Sequence, residues 1–227
     1  MIESDSGNTQ EIKESLQFSK SVILPNGNII YSSSEIGRSP LIMSNKGQIL
    51  VKENPWLLQQ IVNNPQEEKE NKGYNHRGST SHVSKTETTY NGGRYSVAVK
   101  KIFDPNKGTG LDQFRALQEL QQTGVPVVTP LIATSHYLVT KWIEGESVSS
   151  SYKQTGEHVI PYIRRLNQII NSLKRNGNWK LSWYLDTCMD NYIPYNLSAE
   201  DPIQRFIALD PMIKDRFGQH IIHWKQV

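Results

Sequence analysis

Five side chains are of the types and spacing needed to handle a polyphosphate. Val97-Ala98-Val99-Lys100 is an apolar run ending in a lysine, and an ammonium is a compact charge suited to the diffuse negative charge of phosphate. Glu119 follows nineteen residues later on a predicted helix, from which its carboxylate could pair with Lys100 and set its direction. Asp186-Thr187-Cys188-Met189-Asp190-Asn191 separates an acid from an amide by four residues, which lets both side chains turn into one cleft. Ala208-Leu209-Asp210-Pro211 ends a short apolar run on a second acid. Phosphoryl transfer asks little covalent chemistry of a protein. It needs positioning and cancellation of charge, which one lysine, two metal-holding oxygens and one base can supply.

The elements that must position these groups are legible in part. Residues 1–16 are polar, lack periodicity and read as a mobile tail. Two hairpins are predicted next, Ser21–Leu24 with Ile29–Tyr31 and Leu41–Met43 with Gln48–Val51. Their turns carry Gly27 and Gly47, and glycine accepts a positive φ at no steric cost. Pro55–Val62 reads as a short helix burying Trp56, Leu57, Ile61 and Val62. Asn63–Asn75 is a polar linker or insert. Ser79–Tyr90 and Tyr95–Phe103 are strands joined by the turn Asn91-Gly92-Gly93. Leu111–Gln122 is a helix with Phe114, Leu117 and Leu120 on one face. Val125–Ile132 and Tyr137–Ile143 are further strands. Val159, Ile160, Ile163, Leu166, Ile170 and Leu173 recur at helical spacing, with Gly177 at the helix end. Tyr192-Ile193 and Phe206–Leu209 are short strands. The order is that of an α+β chain.

Taken in order, the lysine, the glutamate, the D-x4-N pair and the strand-end Asp resemble the protein-kinase-like superfamily, over about Gly78 to Pro211. Val97–Lys100 is similar to the V-A-I-K strand of that family. Tyr137–Gly145 is similar to its hinge strand followed by Glu-Gly. The likeness is to small, divergent bacterial kinases, including lipopolysaccharide core sugar kinases and other compact atypical kinases. It implies a compact two-lobed fold, with a β-rich N-lobe over residues 17–143 bearing one helix and a small, truncated helical C-lobe over 144–227. It implies Lys100 on the α and β phosphates, Glu119 orienting it, and Asp186 as base. Asn191 and Asp210 would hold magnesium. Gly78, Ser79 and Thr80 would stand in for the glycine-rich loop, with Ser and Thr donating to phosphate. Lys141 and Ile143 would lie along the nucleotide at the hinge. The implied cofactors are ATP and Mg2+, and the acceptor is a hydroxyl on a protein or a sugar.

Departures from the family pattern support a second reading. Trp183-Tyr184-Leu185 precedes Asp186 where the family has a bracing histidine. Pro211 replaces the glycine of D-F-G and removes a backbone donor. The segment after Asp210 is too short for the family's activation segment and later helices. The alternative is therefore a pseudokinase-like module that binds nucleotide or protein without catalysis. Under either reading the N-terminal hairpins are a candidate partner surface, and the first N-lobe strand would come from Gln48–Val51.

Composition bounds the rest. In 227 residues, 25 Lys and Arg against 22 Asp and Glu leave a net charge of +3, too little to indicate nucleic-acid binding. No apolar run approaches the ~18 residues of a membrane span. The polar, acidic N-terminus is not a signal peptide, and a single cysteine, Cys188, excludes an internal disulfide framework. A cytoplasmic protein is expected. The six histidines show no metal-binding motif, and Cys188 reads as packing.

Overall fold

The computed structural model describes residues 20–23, 27, 29–32, 40–63, 76–77, 81–103, 108–176, 184–186, 188–210 and 212–213. The polar N-terminal segment, the insert after Asn63 and Gly177 lie outside them. The chain is α+β and divides into two compact units. One comprises Met1–Pro105, Thr109–Leu111 and Pro130–Lys141, and the other Asn106–Gly108, Asp112–Thr129 and Trp142–Val227.

The first unit is built on an antiparallel sheet. Its strands are β1 (Lys20–Ile23), β2 (Ile29–Ser32), β3 (Leu41–Met43), β4 (His76–Arg77), β5 (Ser81–Tyr90), β6 (Gly93–Ile102), β7 (Pro130–Ala133) and β8 (Tyr137–Lys141). They are ordered β1-β2-β3-β7-β8-β6-β5-β4. The β5–β6 hairpin turns on Asn91 and Gly92, both at positive φ (51° and 72°). That is the two-residue turn whose twist matches paired strands. The register pairs Tyr90 with Gly93 and Val83 with Lys100. The expected strand at Val125–Ile132 shrinks to β7, because Val127 makes a parallel bridge to Ala208 instead.

Two helices cover one sheet face, α1 (Asn45–Glu53) and α2 (Pro55–Asn63). The second predicted hairpin is therefore corrected: Gln48–Val51 is helical and supplies no sheet strand. Ser44 caps the helix, its hydroxyl accepting from the Gly47 N–H at 3.1 Å. Gly47, Leu50 and Val51 are buried together at helical spacing. Gly47 serves close packing rather than a turn, since a Cβ there would lie 2.0 Å from the Leu131 carbonyl oxygen. On α2, Leu57, Leu58 and Ile61 are buried, whereas Trp56 is 45% exposed. Leu57 and Ile61 thus share the buried face as expected, with Leu58 rather than Trp56 beside them. Leu50, Val51, Leu57, Leu58 and Ile61 pack on Leu41, Met43, Val97, Val99 and Val139.

The junction of α1 and α2 grips the rim of the sheet. Asn54 is buried, and its amide nitrogen donates to the carbonyls of Leu50 (2.8 Å) and Thr89 (2.7 Å). Its amide oxygen accepts from the Thr89 N–H at 3.0 Å. The side chain therefore meets both backbone groups of Thr89, as a neighbouring strand would. Glu53 beside it accepts from the N–H groups of Asn91 and Gly92 at the hairpin tip.

The second unit holds most of α3 (Gly110–Gln122) together with α4 (Tyr152–Arg175). It also holds the short strands β9 (Tyr184–Leu185), β10 (Tyr192–Pro194), β11 (Phe206–Ala208) and β12 (Met212–Ile213). On α3, Phe114, Leu117 and Leu120 are buried as predicted. On α4 the buried stripe is Val159, Tyr162, Leu166, Ile170 and Leu173, and Ile160 is turned outward at 48% exposure. The helix ends on Asn176. Among the described residues no helix is long and apolar enough to cross a membrane.

Removing the Asn54 amide should delete its three hydrogen bonds, to the Leu50 carbonyl and to both backbone groups of Thr89, each worth about 0.5–1.5 kcal/mol net. Asn54→Ala is expected to lower the urea midpoint by an amount equivalent to about 2–4 kcal/mol. The neighbouring exposed Glu53→Ala should cost no more than about 1 kcal/mol. Equal effects of the two variants would refute the role given to Asn54.

Candidate functional site

In the second unit a loop leaves β9 at Asp186 and returns through β10, β11 and β12. Two short antiparallel pairs close it, one inside the other. The outer pair sets Leu185 against Met212 and Tyr184 against Ile213. The inner pair sets Tyr192 against Ala208, Ile193 against Ile207 and Pro194 against Phe206. Ala208 is held from a further side, its N–H donating to the Pro126 carbonyl and its carbonyl accepting from the Val128 N–H, each at 3.0 Å.

This nesting gathers three of the acid and amide residues singled out in the sequence. Asp186 Oδ1 accepts from the Cys188 N–H at 2.9 Å, and Asp186 Oδ2 accepts from Asn191 Nδ2 at 2.9 Å. The Tyr192 hydroxyl donates to the Asp186 backbone carbonyl. The Leu209 N–H donates to the Asn191 carbonyl at 2.8 Å, which places Asp210 one residue beyond that contact. The field of Asp210 reaches the same loop. The Cys188 thiol is raised by partial burial, against a lowering hydrogen bond with the Asp190 backbone, and is raised further by the charges of Asp186, Asp190 and Asp210. The Tyr192 hydroxyl is raised well above its ordinary value by burial, and further by Tyr162, Asp186, Asp210 and Cys188. Cys188 is an exposed free thiol rather than a packed one, and the three carboxylates around it disfavour its thiolate.

The donor set suits a hard cation that keeps some of its ligands from elsewhere. Asn191 spends its amide nitrogen on Asp186, which leaves Oδ1 as the atom available to a metal. Among the described residues no group of three or more His, Cys, Asp or Glu side chains could hold a metal by itself. Magnesium is commonly bound through one or two protein oxygens plus substrate phosphates and water. Asn191 and Asp210 carry oxygen donors of the type such a site uses.

The remaining expected residues fall as follows. Lys100 lies on β6, paired with Val83 on one side and Leu138 on the other. Val97 and Val99 enter the core under α1 and α2, so alternation turns Lys100 to the opposite face. It is 8% exposed there, deep for a lysine. Lys141 ends β8 and is exposed, while Ile143 is half-buried. Glu119 is half-buried on α3, with one carboxylate oxygen fully enclosed. Gly78, Ser79, Thr80 and Pro211 lie outside the described residues.

Two residues of this site carried no warning in the sequence. Tyr192 looked like a strand aromatic, and its hydroxyl contact six residues back depends wholly on how the loop closes. Asp190 sits within the D-x4-N spacing and accepts from the Ser147 hydroxyl at 3.0 Å. Nearby, the Val148 N–H donates to the Tyr192 carbonyl at 2.8 Å. Behind the loop stands an aromatic cluster: Tyr162 of α4 meets Tyr192 edge-on at 5.5 Å between ring centres, and Phe206 at 4.9 Å.

No family model and no curated protein matches the chain. Among solved structures it is similar to Rv3197 from Mycobacterium tuberculosis in its complex with erythromycin, at 14% identity over 60% of this chain and 44% of that one, with a TM-score of 0.36. It is also similar to Rad53 1-466 in complex with AMP-PNP, at 13% identity over 84% of this chain and 59% of that one, with a TM-score of 0.38. The chain thus spans less than two thirds of the length of either.

The buried tyrosines set an alkaline limit on stability. Burial raises both Tyr162 and Tyr192 above the ordinary value of about 10. A raised folded value means that the unfolded chain loses its protons first. The stability from these two groups is therefore fully present below pH about 10 and is lost as pH rises toward the folded values. The Tyr162 hydroxyl has no hydrogen-bond partner among the described residues. Tyr162→Phe is expected to leave stability at pH 7 within about 1 kcal/mol of the parent and to make the decline above pH about 10 shallower. Urea unfolding across pH 7–11 checks both, and an unchanged alkaline slope would contradict the assignment.

Proposed function

We propose that this chain is a kinase-like phosphotransferase that moves the γ-phosphate of ATP to a hydroxyl of a protein or sugar, with magnesium as cofactor. The observation that carries the reading is the Asn191–Asp186 hydrogen bond within the doubly closed loop, with Asp210 one residue beyond the backbone contact to Asn191. Asp186 serves as base. Its carboxylate oxygens accept from the Cys188 N–H and from Asn191 Nδ2, and a carboxylate held in this way is a group of the kind that takes the proton of a reacting hydroxyl. Asn191 Oδ1 and Asp210 hold the metal, which when bound neutralises phosphate charge. Lys100, on a strand hydrogen-bonded along both edges, holds the α and β phosphates, and Glu119 orients it. Gly78, Ser79 and Thr80 lie over the phosphates, and Lys141 and Ile143 border the nucleotide. Residues 17–143 act as a β-rich N-lobe and residues 144–227 as a small helical C-lobe, and the protein acts in the cytoplasm.

Calorimetric titration of ATP with and without magnesium tests the reading. Wild type is expected to bind ATP in a magnesium-dependent way, and Asp210→Ala to bind at least about ten-fold more weakly, the loss of one charge-assisted contact. Asp186→Asn should keep MgATP affinity while phosphate release, with water as the acceptor, falls roughly 100-fold or more. Magnesium-independent binding would favour the non-catalytic alternative. Absence of ATP binding would overturn the proposal.

A further inference from the structure

We propose that Tyr192 is a positioning residue, its hydroxyl tying the Asp186 backbone to the aromatic core behind the loop and so aiming the Asp186 carboxylate. The positioning role rests on the reading of Asp186 as base, whereas the tie itself stands on geometry alone. The contacts to the carboxylate from Cys188 and Asn191 come from within the same loop and would travel with it. Tyr192 is anchored differently. It opens β10 in register with Ala208, is 2% exposed, and presses its ring edge-on against Tyr162 of α4. Its hydroxyl donates to the Asp186 carbonyl. A buried phenol gains from a partner, and the Tyr192 hydroxyl has its own at the peptide group by which the chain leaves Asp186. Trp183-Tyr184-Leu185 places no histidine ahead of Asp186, so the brace comes from the residue following Asn191.

Tyr192→Phe removes the hydroxyl and keeps the ring. Tyr162→Phe is the matched control, since that hydroxyl lacks a partner among the described residues. In both variants the full chain is labelled for NMR, and urea unfolding reports that the fold is intact. The side-chain amide of Asn191 and the carboxyl carbon of Asp186 are expected to shift in Tyr192→Phe and to stay in place in Tyr162→Phe. With phosphate release from MgATP as the second readout, kcat should fall roughly ten-fold or more in Tyr192→Phe while KM for MgATP stays within about two-fold. Unmoved Asn191 and Asp186 signals in a folded Tyr192→Phe overturn the inference. Should that variant not fold, the wild-type hydroxyl proton decides. Slow exchange at Tyr192 supports the tie, and exchange as fast as at Tyr195, which is 67% exposed, refutes it. Failure of wild type to bind MgATP would remove the proposed function but leave the NMR comparison decisive for the tie.

Discussion

The candidate site depends on the closure of one loop by two nested strand pairs. Asp186, Asn191 and Asp210 are spread over 25 residues, and nothing local would bring them together. The pairs Leu185–Met212 and Tyr192–Ala208 do so, and the Leu209 N–H on the Asn191 carbonyl completes the arrangement. Pairs of two or three residues have no independent stability in water. They persist because the inner pair is backed by a packed core, with Tyr162, Tyr192 and Phe206 in contact and Val159, Leu166 and Ile170 of α4 buried in the same stripe. The ion pair between Arg165 and Asp201 at 3.9 Å, both half-exposed, adds little. Apolar burial of α4 is what holds the acids in register.

The sheet unit solves a separate problem, the placing of a buried lysine. Lys100 is paired on both edges of its strand, so its backbone has little freedom. Neighbouring Val97 and Val99 are locked into the core by α1 and α2. The same helices secure the hairpin that carries Lys100, through Asn54 on Thr89 and Glu53 on the tip. The contact is a substitute for strand pairing along the part of β5 that β4, with only two residues, does not reach. Of the two expected N-terminal hairpins, one extends the sheet at its edge, and the residues of the other form a strand and a helix buried against the core.

Where local chemistry was decisive, the sequence was a good guide. Asn91-Gly92 meant a tight hairpin because few other residue pairs accept two consecutive positive φ angles, and the structure shows that turn. The helical repeat of Phe114, Leu117 and Leu120 held for the same kind of reason. Ser44–Val51 misled because Ser-Asn-Lys-Gly suits a turn and a helix cap alike. The capping bond to Gly47 is local, but the Ser44 N–H and hydroxyl on the Leu131 carbonyl, and the 2.0 Å that a Cβ at Gly47 would leave to Leu131, are relations to a strand more than eighty residues away. On α4, Tyr162 takes the buried place that the helical spacing gives to Ile160, because a tyrosine ring buries as much apolar surface.

The sequence by itself determined the α+β order, the long helices, the β5–β6 hairpin and the residue types suited to phosphate and metal. These follow from backbone preference and from periodicity, which act over a few residues. Tertiary structure alone decided that Asp186, Asn191 and the Asp210 segment share one loop, that Tyr192 reaches back to Asp186, and that Asn54 stands in for a strand. Each of these is a hydrogen bond or strand register between parts of the chain whose approach is set by the burial of apolar side chains elsewhere, and no local pattern records that.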